Sequence, residues 1–242
     1  MQISTPEATP ERTSARSVLE AVVQRSADSR RTLLAIVGPP GVGKTYAVER
    51  VRQALDDVGV RAATISMDGY HLSNAQLEAC GLADRKGAPE TFDTAGLTSA
   101  LTRVRNAGPE PIFVPDYDRE LHEPIAARGR VDPECSAVLV EGNYLLLDQP
   151  AWRRVRECLD ITWYLDAPEE VRLDRLMARQ LARGRGPEEA ARWIDEVDVP
   201  NAQLISTTRL TADFVTDSIS LDAELAEFGD PRSTSKLLNG DR

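Results

Sequence analysis

Five apolar residues, Leu33, Leu34, Ala35, Ile36 and Val37, run directly into GPPGVGKT at residues 38–45. The run reads as a buried strand, and the octet after it satisfies the GxxxxGK[ST] phosphate-loop pattern. The glycines let the backbone curl until several N–H groups point at one phosphate. Lys44 then reaches the β and γ phosphates, and the Thr45 hydroxyl is placed to ligate Mg²⁺. Gly38, Pro39, Pro40, Gly41, Val42, Gly43, Lys44 and Thr45 are therefore the expected ATP-binding residues. Lys44, Lys86 and Lys236 are the only lysines among 29 basic residues. A chain that otherwise uses arginine keeps a compact ammonium where one fits between phosphates.

Helical spacing follows at once, with Val48, Val51, Leu55 and Val58 on one face and Gly59 as a stop. Residues 62–67 read as a second strand ending at Asp68. Helices are expected near 74–80 and 94–106, and further strands at 112–114, 137–140 and 161–165. Apolar runs that alternate with helical patterns call for an α/β fold, a parallel sheet with helices on both faces. Ligands of such sheets bind beyond the carboxyl ends of the strands. Val18, Leu19, Val22 and Val23 suggest a short helix ahead of the first strand. Residues 1–15 are read as a flexible tail, 16–217 as one domain and 218–242 as a polar, loosely held extension. From 169 to 196 an arginine-rich helical stretch is interrupted at residues 183–187, so a hinged helical lid is expected over about 172–200.

A formal charge of −10 over 242 residues argues against nucleic acid or an anionic membrane as a main partner. Cys80, Cys135 and Cys158 are an odd, widely spaced set, which indicates neither a disulfide framework nor a zinc site. No apolar stretch approaches membrane length and the start lacks a signal-peptide core, so the expected setting is the cytoplasm.

Phosphoryl transfer needs a nucleotide cradle, Mg²⁺, a group that deprotonates or orients the attacking hydroxyl, and cations for the developing charge. Asp68, in MDGYH at a strand end, is the candidate general base, and Glu141, closing AVLVE, is the candidate second Mg²⁺ ligand with Thr45. An Asp before Gly is also a common turn residue, and a Glu at a strand end is commonly solvated. Arg172, Arg175, Arg179, Arg183 and Arg185 suit a lid that grips phosphate oxygens. Their spacing near Glu169, Glu170 and Asp174 equally describes a solvated, ion-paired face. DTAG at 93–96 matches part of a GTPase switch motif, but a turn-rich loop precedes it and no NKxD tetrapeptide occurs.

With GPPGVGKT, MDGYH and VEGNYLLL in this order, residues 33–217 resemble the P-loop kinases that include uridine kinase, phosphoribulokinase and bacterial pantothenate kinase. The segment DGYHLSNAQLEACGLADRKGAPETFD and the later VPNAQLI are similar to pantothenate kinases. PDYDRELHEP and the Phe92–Asp93 pair are similar to uridine kinases, with Arg119 where pantothenate kinases carry a histidine. The resemblance implies a P-loop NTPase fold and an ATP- and Mg²⁺-dependent kinase. It also implies Asp68 as base, Arg179 at the transferring phosphoryl group and Arg183 on ATP. Tyr70, Phe92, Asp93, Tyr117, His122 and Asn201 join Asp68 on the acceptor side. Arg179 stands four residues before Arg183, one fewer than in uridine kinases. The acceptor expected from this mosaic is a small hydroxyl-bearing metabolite, whether nucleoside, pantothenate or sugar-like. A nucleotide-binding regulatory protein without turnover is the other reading, and retention of Asp68 and Glu141 speaks against it. A homodimer is compatible with the sequence, which does not set the oligomeric state.

Overall fold

The computed structural model describes residues 12–27, 30–106 and 108–228. Its centre is a five-stranded parallel sheet in the order β2-β5-β1-β6-β7, built from Thr32–Val37 (β1), Ala62–Ser66 (β2), Ala137–Gly142 (β5), Ile161–Asp166 (β6) and Phe214–Asp217 (β7). All six residues of β1 are buried, as expected for a strand covered on both faces. Side chains alternate across it. Leu33, Ala35 and Val37 join one core, and Leu34 and Ile36 the other. Each fully buried Leu or Ile there contributes about 1.5–3 kcal/mol relative to exposure.

On one face lie Ala15–Ser26 (α1), Lys44–Asp57 (α2) and Leu221–Phe228 (α9). The other face carries Thr94–Arg105 (α4), Pro150–Arg156 (α5) and Ile205 of Val199–Ser206 (α8). The short Asn74–Ala79 (α3) lies between β2 and α4 in the chain. The Ser14 hydroxyl caps α1 by accepting from Ser17 N–H. Among the described residues no helix is long and apolar enough to cross a membrane.

Three expectations change. Residues 112–114 are not a strand of the parallel sheet. They begin Ile112–Asp118 (β3), which pairs antiparallel with Glu123–Val131 (β4) as a separate hairpin. Pro115 cannot donate to a ladder, and the register shifts between Val114 and Asp116. Strand β4 escapes detection because EPIAARGRV, largely exposed, shows no apolar run.

At the N-terminus, the end of the expected tail is tied down: Thr13 N–H donates to Val215 O at 2.8 Å and Thr216 Oγ1 donates to Thr13 O at 3.1 Å. Residues 1–11 of that tail lie outside the described residues. At the other end, the expected loose extension contains α9, whose Leu221, Leu225 and Phe228 are buried against α1 and α2. These three residues recur at helical spacing and make one apolar face. Residues 229–242 lie outside the described residues. Phe228→Ala is expected to cost about 3–5 kcal/mol, read as a lower urea midpoint. A loss below about 1 kcal/mol would show that α9 contributes little to the core.

The stretch expected as a hinged lid folds as two helices, Glu169–Ala182 (α6) and Pro187–Trp193 (α7), separated by Gly184 with φ +86°. A π-helical turn, Ile194–Asp198, then leads into α8.

Candidate active site

Parallel pairing brings three strand ends together. Glu141 of β5 is in register with Ile36 of β1 on one side and Ser66 of β2 on the other. The loop that leaves β1 therefore opens beside Glu141. Asp68 follows β2 in a 3-10 turn, Met67–Tyr70, capped by Ser66 Oγ, which accepts from the Asp68 N–H at 3.3 Å.

In the loop, Gly41 has φ +80°, and a Cβ there would stand 2.6 Å from the Arg172 carbonyl of α6. Only glycine lets the loop pass so close to that helix. Lys44 Nζ donates to the carbonyls of Gly38 at 2.8 Å and Pro39 at 3.3 Å. Burial pushes its pKa down to about 8, while the Glu141 and Asp68 carboxylates pull the other way. Thr45 Oγ1 donates to Glu141 Oε2 at 3.2 Å. Burial raises the Glu141 carboxyl, and Lys44 opposes that rise.

Two cavities, about 360 and 350 Å³, meet at this point and share Thr45, Ser66, Asp68, Arg119 and Glu141. The first runs from the phosphate loop past His71, Lys86 and Phe92 to Arg179, Arg183 and Asn201. The second lies between α2, β2 and the hairpin, and Tyr117 lines it.

The hairpin reaches Asp68 because Gly69 admits it. A Cβ on Gly69 would meet Pro115 O at 2.5 Å. Asp-Gly here is more than a turn, since the glycine is where β3 packs on the turn that carries Asp68.

His71 closes this turn. Its Nδ1 lies 2.9 Å from Asp68 O. A carbonyl only accepts, so Nδ1 carries the proton and Nε2 keeps its lone pair. The ring packs 4.0 Å from Phe92 and 5.0 Å from Tyr117, centroid to centroid. Burial lowers the imidazole pKa, against the pull of Asp68.

The expected acceptor residues divide. Asp68, Phe92 and Asn201 line the first cavity and Tyr117 the second. Tyr144 Oη stands 2.6 Å from Gly87 O and 2.9 Å from Asn201 Oδ1. A phenol has one proton, so the Asn201 amide meets it best through its NH₂.

Three expected residues line neither cavity. His122 is exposed at the hairpin turn with φ +55°, and its contribution is a carbonyl that accepts from Lys86 Nζ at 2.5 Å. Asp93 caps α4 by accepting from Gly96 N–H at 2.8 Å, which also accounts for DTAG. Tyr70 is buried, and that burial pushes its phenol up to about 12.

The five lid arginines separate as well. Arg175 donates to Val42 O at 3.0 Å and Arg172 to Pro40 O at 3.5 Å, bracing the loop from outside. Arg185 stacks 4.0 Å over Trp193. Arg179 and Arg183 border the first cavity.

Reading residue by residue missed His71, Lys86 and Arg119. Lys86 is held by Asn74 Oδ1 at 2.5 Å and stands 5.6 Å over the Tyr117 ring. Its scarcity as a lysine was a usable signal. His71 lies inside MDGYH, whereas the motif match singles out His122.

These residues fit a Mg²⁺–nucleotide complex. The Lys44 ammonium stands against the loop carbonyls, and Thr45 with Glu141 offers hard oxygen donors. Among the described residues no group of three or more His, Cys, Asp or Glu could hold a metal ion.

The folded protein binds the His71 proton only below the pH at which the unfolded chain does. The unfolded state therefore carries more protons as pH falls below about 6.5, and stability declines through that window. Thermal midpoints at about pH 7.5 and about pH 5.5 are expected to differ less in His71→Gln than in the wild type. An equal drop in both would assign the acid sensitivity to other groups.

The sequence profile of the Phosphoribulokinase / Uridine kinase family matches residues 33–221. The chain is 33% identical over 199 residues to the uncharacterized protein YggC of Escherichia coli strain K12, covering 81% of this chain and 82% of that one. It is 33% identical over 193 residues to a uridine kinase of Clostridium perfringens, covering 77% and 86%. A solved structure from Silicibacter sp. TM1040, provisionally described as a fructose transport system kinase, superposes with a TM-score of 0.74 at 35% identity, covering 81% of this chain and 98% of that one. The α/β architecture is the P-loop NTPase fold shared by these structural neighbours.

Proposed function

Because the chain belongs to the Phosphoribulokinase / Uridine kinase family, whose members are P-loop kinases, we propose that it transfers the γ-phosphoryl group of ATP to a hydroxyl of a small metabolite. The observation that carries this reading is the meeting of Asp68 and Glu141 with Lys44 and Thr45 at the boundary of two cavities. A protein that only bound nucleotide would need the loop but not a carboxylate facing a second compartment.

Lys44 and the N–H groups of the loop bind the phosphates of the donor. Thr45 and Glu141 would hold Mg²⁺, which would supply neutralising charge to the phosphate oxygens. Asp68 accepts or orients the proton of the attacking hydroxyl at its carboxylate. Arg179 and Arg183 sit on the lid side of the same cavity, suited to charge on the transferring group. Phe92, Tyr117 and His71 form an aromatic wall beside Asp68 against which the acceptor rests. The Nε2 lone pair of His71 and the amide of Asn201 supply polar contacts to it. A nucleoside, pantothenate and a sugar each have the hydroxyl and the size for this space, and the relatives' names span such acceptors.

ADP release measured against nucleosides, pantothenate and sugars should identify a turned-over acceptor. Asp68→Asn should then lower kcat by roughly 10²–10⁴ while the Kd for ATP stays within about threefold. Unchanged turnover in that variant would remove Asp68 as the base. Tight ATP binding with no acceptor turned over would instead favour a regulatory nucleotide-binding protein.

A further inference from the structure

Asp198 is a buried carboxylate that the phosphoryl-transfer scheme does not use. It closes the π-helical turn Ile194–Asp198, and its side chain is 7% exposed. Its Oδ1 accepts from Arg179 Nη2 at 3.3 Å, and its Oδ2 has no hydrogen-bond partner. Gln180 beside it is fully buried, its Nε2 without a hydrogen bond of ordinary length and its side-chain amide still favouring the ionised carboxylate. Asp198 borders both the first cavity and a third, about 320 Å³, at the base of the lid.

Local sequence explains how the carboxylate arrives there. Pro200, in the first turn of α8, has no N–H to give, and its ring crowds the carbonyl four residues back, at Glu196. The helix widens into a π turn at this place, and a π turn shifts the residues after it around the axis. In this setting Asp198 is on the inner side, against α6. A carboxylate so placed is costly to bury even with Arg179 as its partner, and an apolar residue would pack there without that cost.

What faces Asp198 is mostly cationic. Arg179, Arg183 and Arg185 act on it from the lid, and Arg172, with Asp166 and Glu169, lines the cavity at its other side. Burial raises the carboxyl pKa, and Arg179 is the main opposing charge. Arg179 itself is 42% exposed, a long side chain with one anchored nitrogen and the remaining N–H groups free for the cavity. A guanidinium fixed at one end loses less entropy when it takes up a phosphate oxygen.

We propose that Asp198 is a positioning residue whose ionised carboxylate aims the Arg179 guanidinium at the terminal phosphate of the bound nucleotide. This rests on the kinase reading above and adds a residue to it. Charge of the wrong sign beside a phosphate site is offset by Arg179, with Arg183 and Arg185 around it.

The test compares the β,γ-imido analogue of ATP with ADP, both with saturating Mg²⁺, in equilibrium binding to the full chain. The wild type is expected to prefer the analogue. Arg179→Ala and Asp198→Asn should each cut that preference by about tenfold, the scale of one charge-assisted hydrogen bond. The double variant should lose no more than either alone, since one interaction is removed twice. An unchanged preference in Asp198→Asn, or losses that multiply, overturns the proposal.

A second measurement needs no change at position 198. As the pH is lowered, the wild-type preference should decline when the Asp198 carboxyl, raised by burial, takes up its proton, while Arg179→Ala stays flat. Parallel pH responses overturn the proposal even if Asp198→Asn does not fold. Failure of the wild type to bind either nucleotide would overturn the kinase reading itself. Binding of both, with the preference intact in Arg179→Ala, would overturn this inference alone.

Discussion

Hydrogen bonds between β2, β5 and β1 set Ser66, Glu141 and Ile36 in one row across the sheet. The chemistry of the cleft depends on that row. A slip of one residue would turn Glu141 to the opposite face and part it from Thr45. Burial alone does not hold the register, because both faces of β1 are apolar: Leu33, Ala35 and Val37 pack one way and Leu34 and Ile36 the other. Any shift would still bury apolar groups, but it would strand the loop glycines away from α6. Close approach of Gly41 to the Arg172 carbonyl and of Gly38 to the Leu165 carbonyl admits only one position of the loop.

A second constraint joins the donor half to the other half. The turn that carries Asp68 touches the β3–β4 hairpin through Gly69, and His71 packs between Phe92 and Tyr117. Asp68 thus sits where a strand of the main sheet, a hairpin and the loop before α4 converge. Its carboxylate borders both cavities for this reason. The aromatic cluster continues inward from Phe92 through Tyr144 and Trp152 to the core, so this side of the cleft is continuous with the packing of α5.

Electrostatics divides the lid along its length. Near its start, Arg172 and Arg175 bond to loop carbonyls and stiffen the cradle. Further along, Arg179 faces the cavity with Asp198 behind it, and Arg183 follows. Mutual repulsion and burial lower the Arg183 pKa, the larger part from burial. The cations crowd here in a chain whose formal charge is −10, which concentrates positive potential where polyphosphate would enter.

Much of the donor side was legible in the sequence. Residues 33–45, Asp68 and Glu141 announce themselves because a phosphate loop needs glycines at fixed spacing and buried parallel strands need unbroken apolar runs. Local chemistry dictates both. The rest was decided only by tertiary structure, since it depends on pairs far apart in the chain. His122 matched a motif, yet a positive φ at the hairpin turn leaves it exposed, while His71 takes the place beside Phe92 and Tyr117. Asp93 matched as well, but its carboxylate is committed to the N-terminus of α4. Asp198 left no pattern to read, because its position follows from a proline two residues on and from α6 packing across it. Motif spacing determines which groups a chain carries to a strand end; packing between distant segments determines which of them face the cleft.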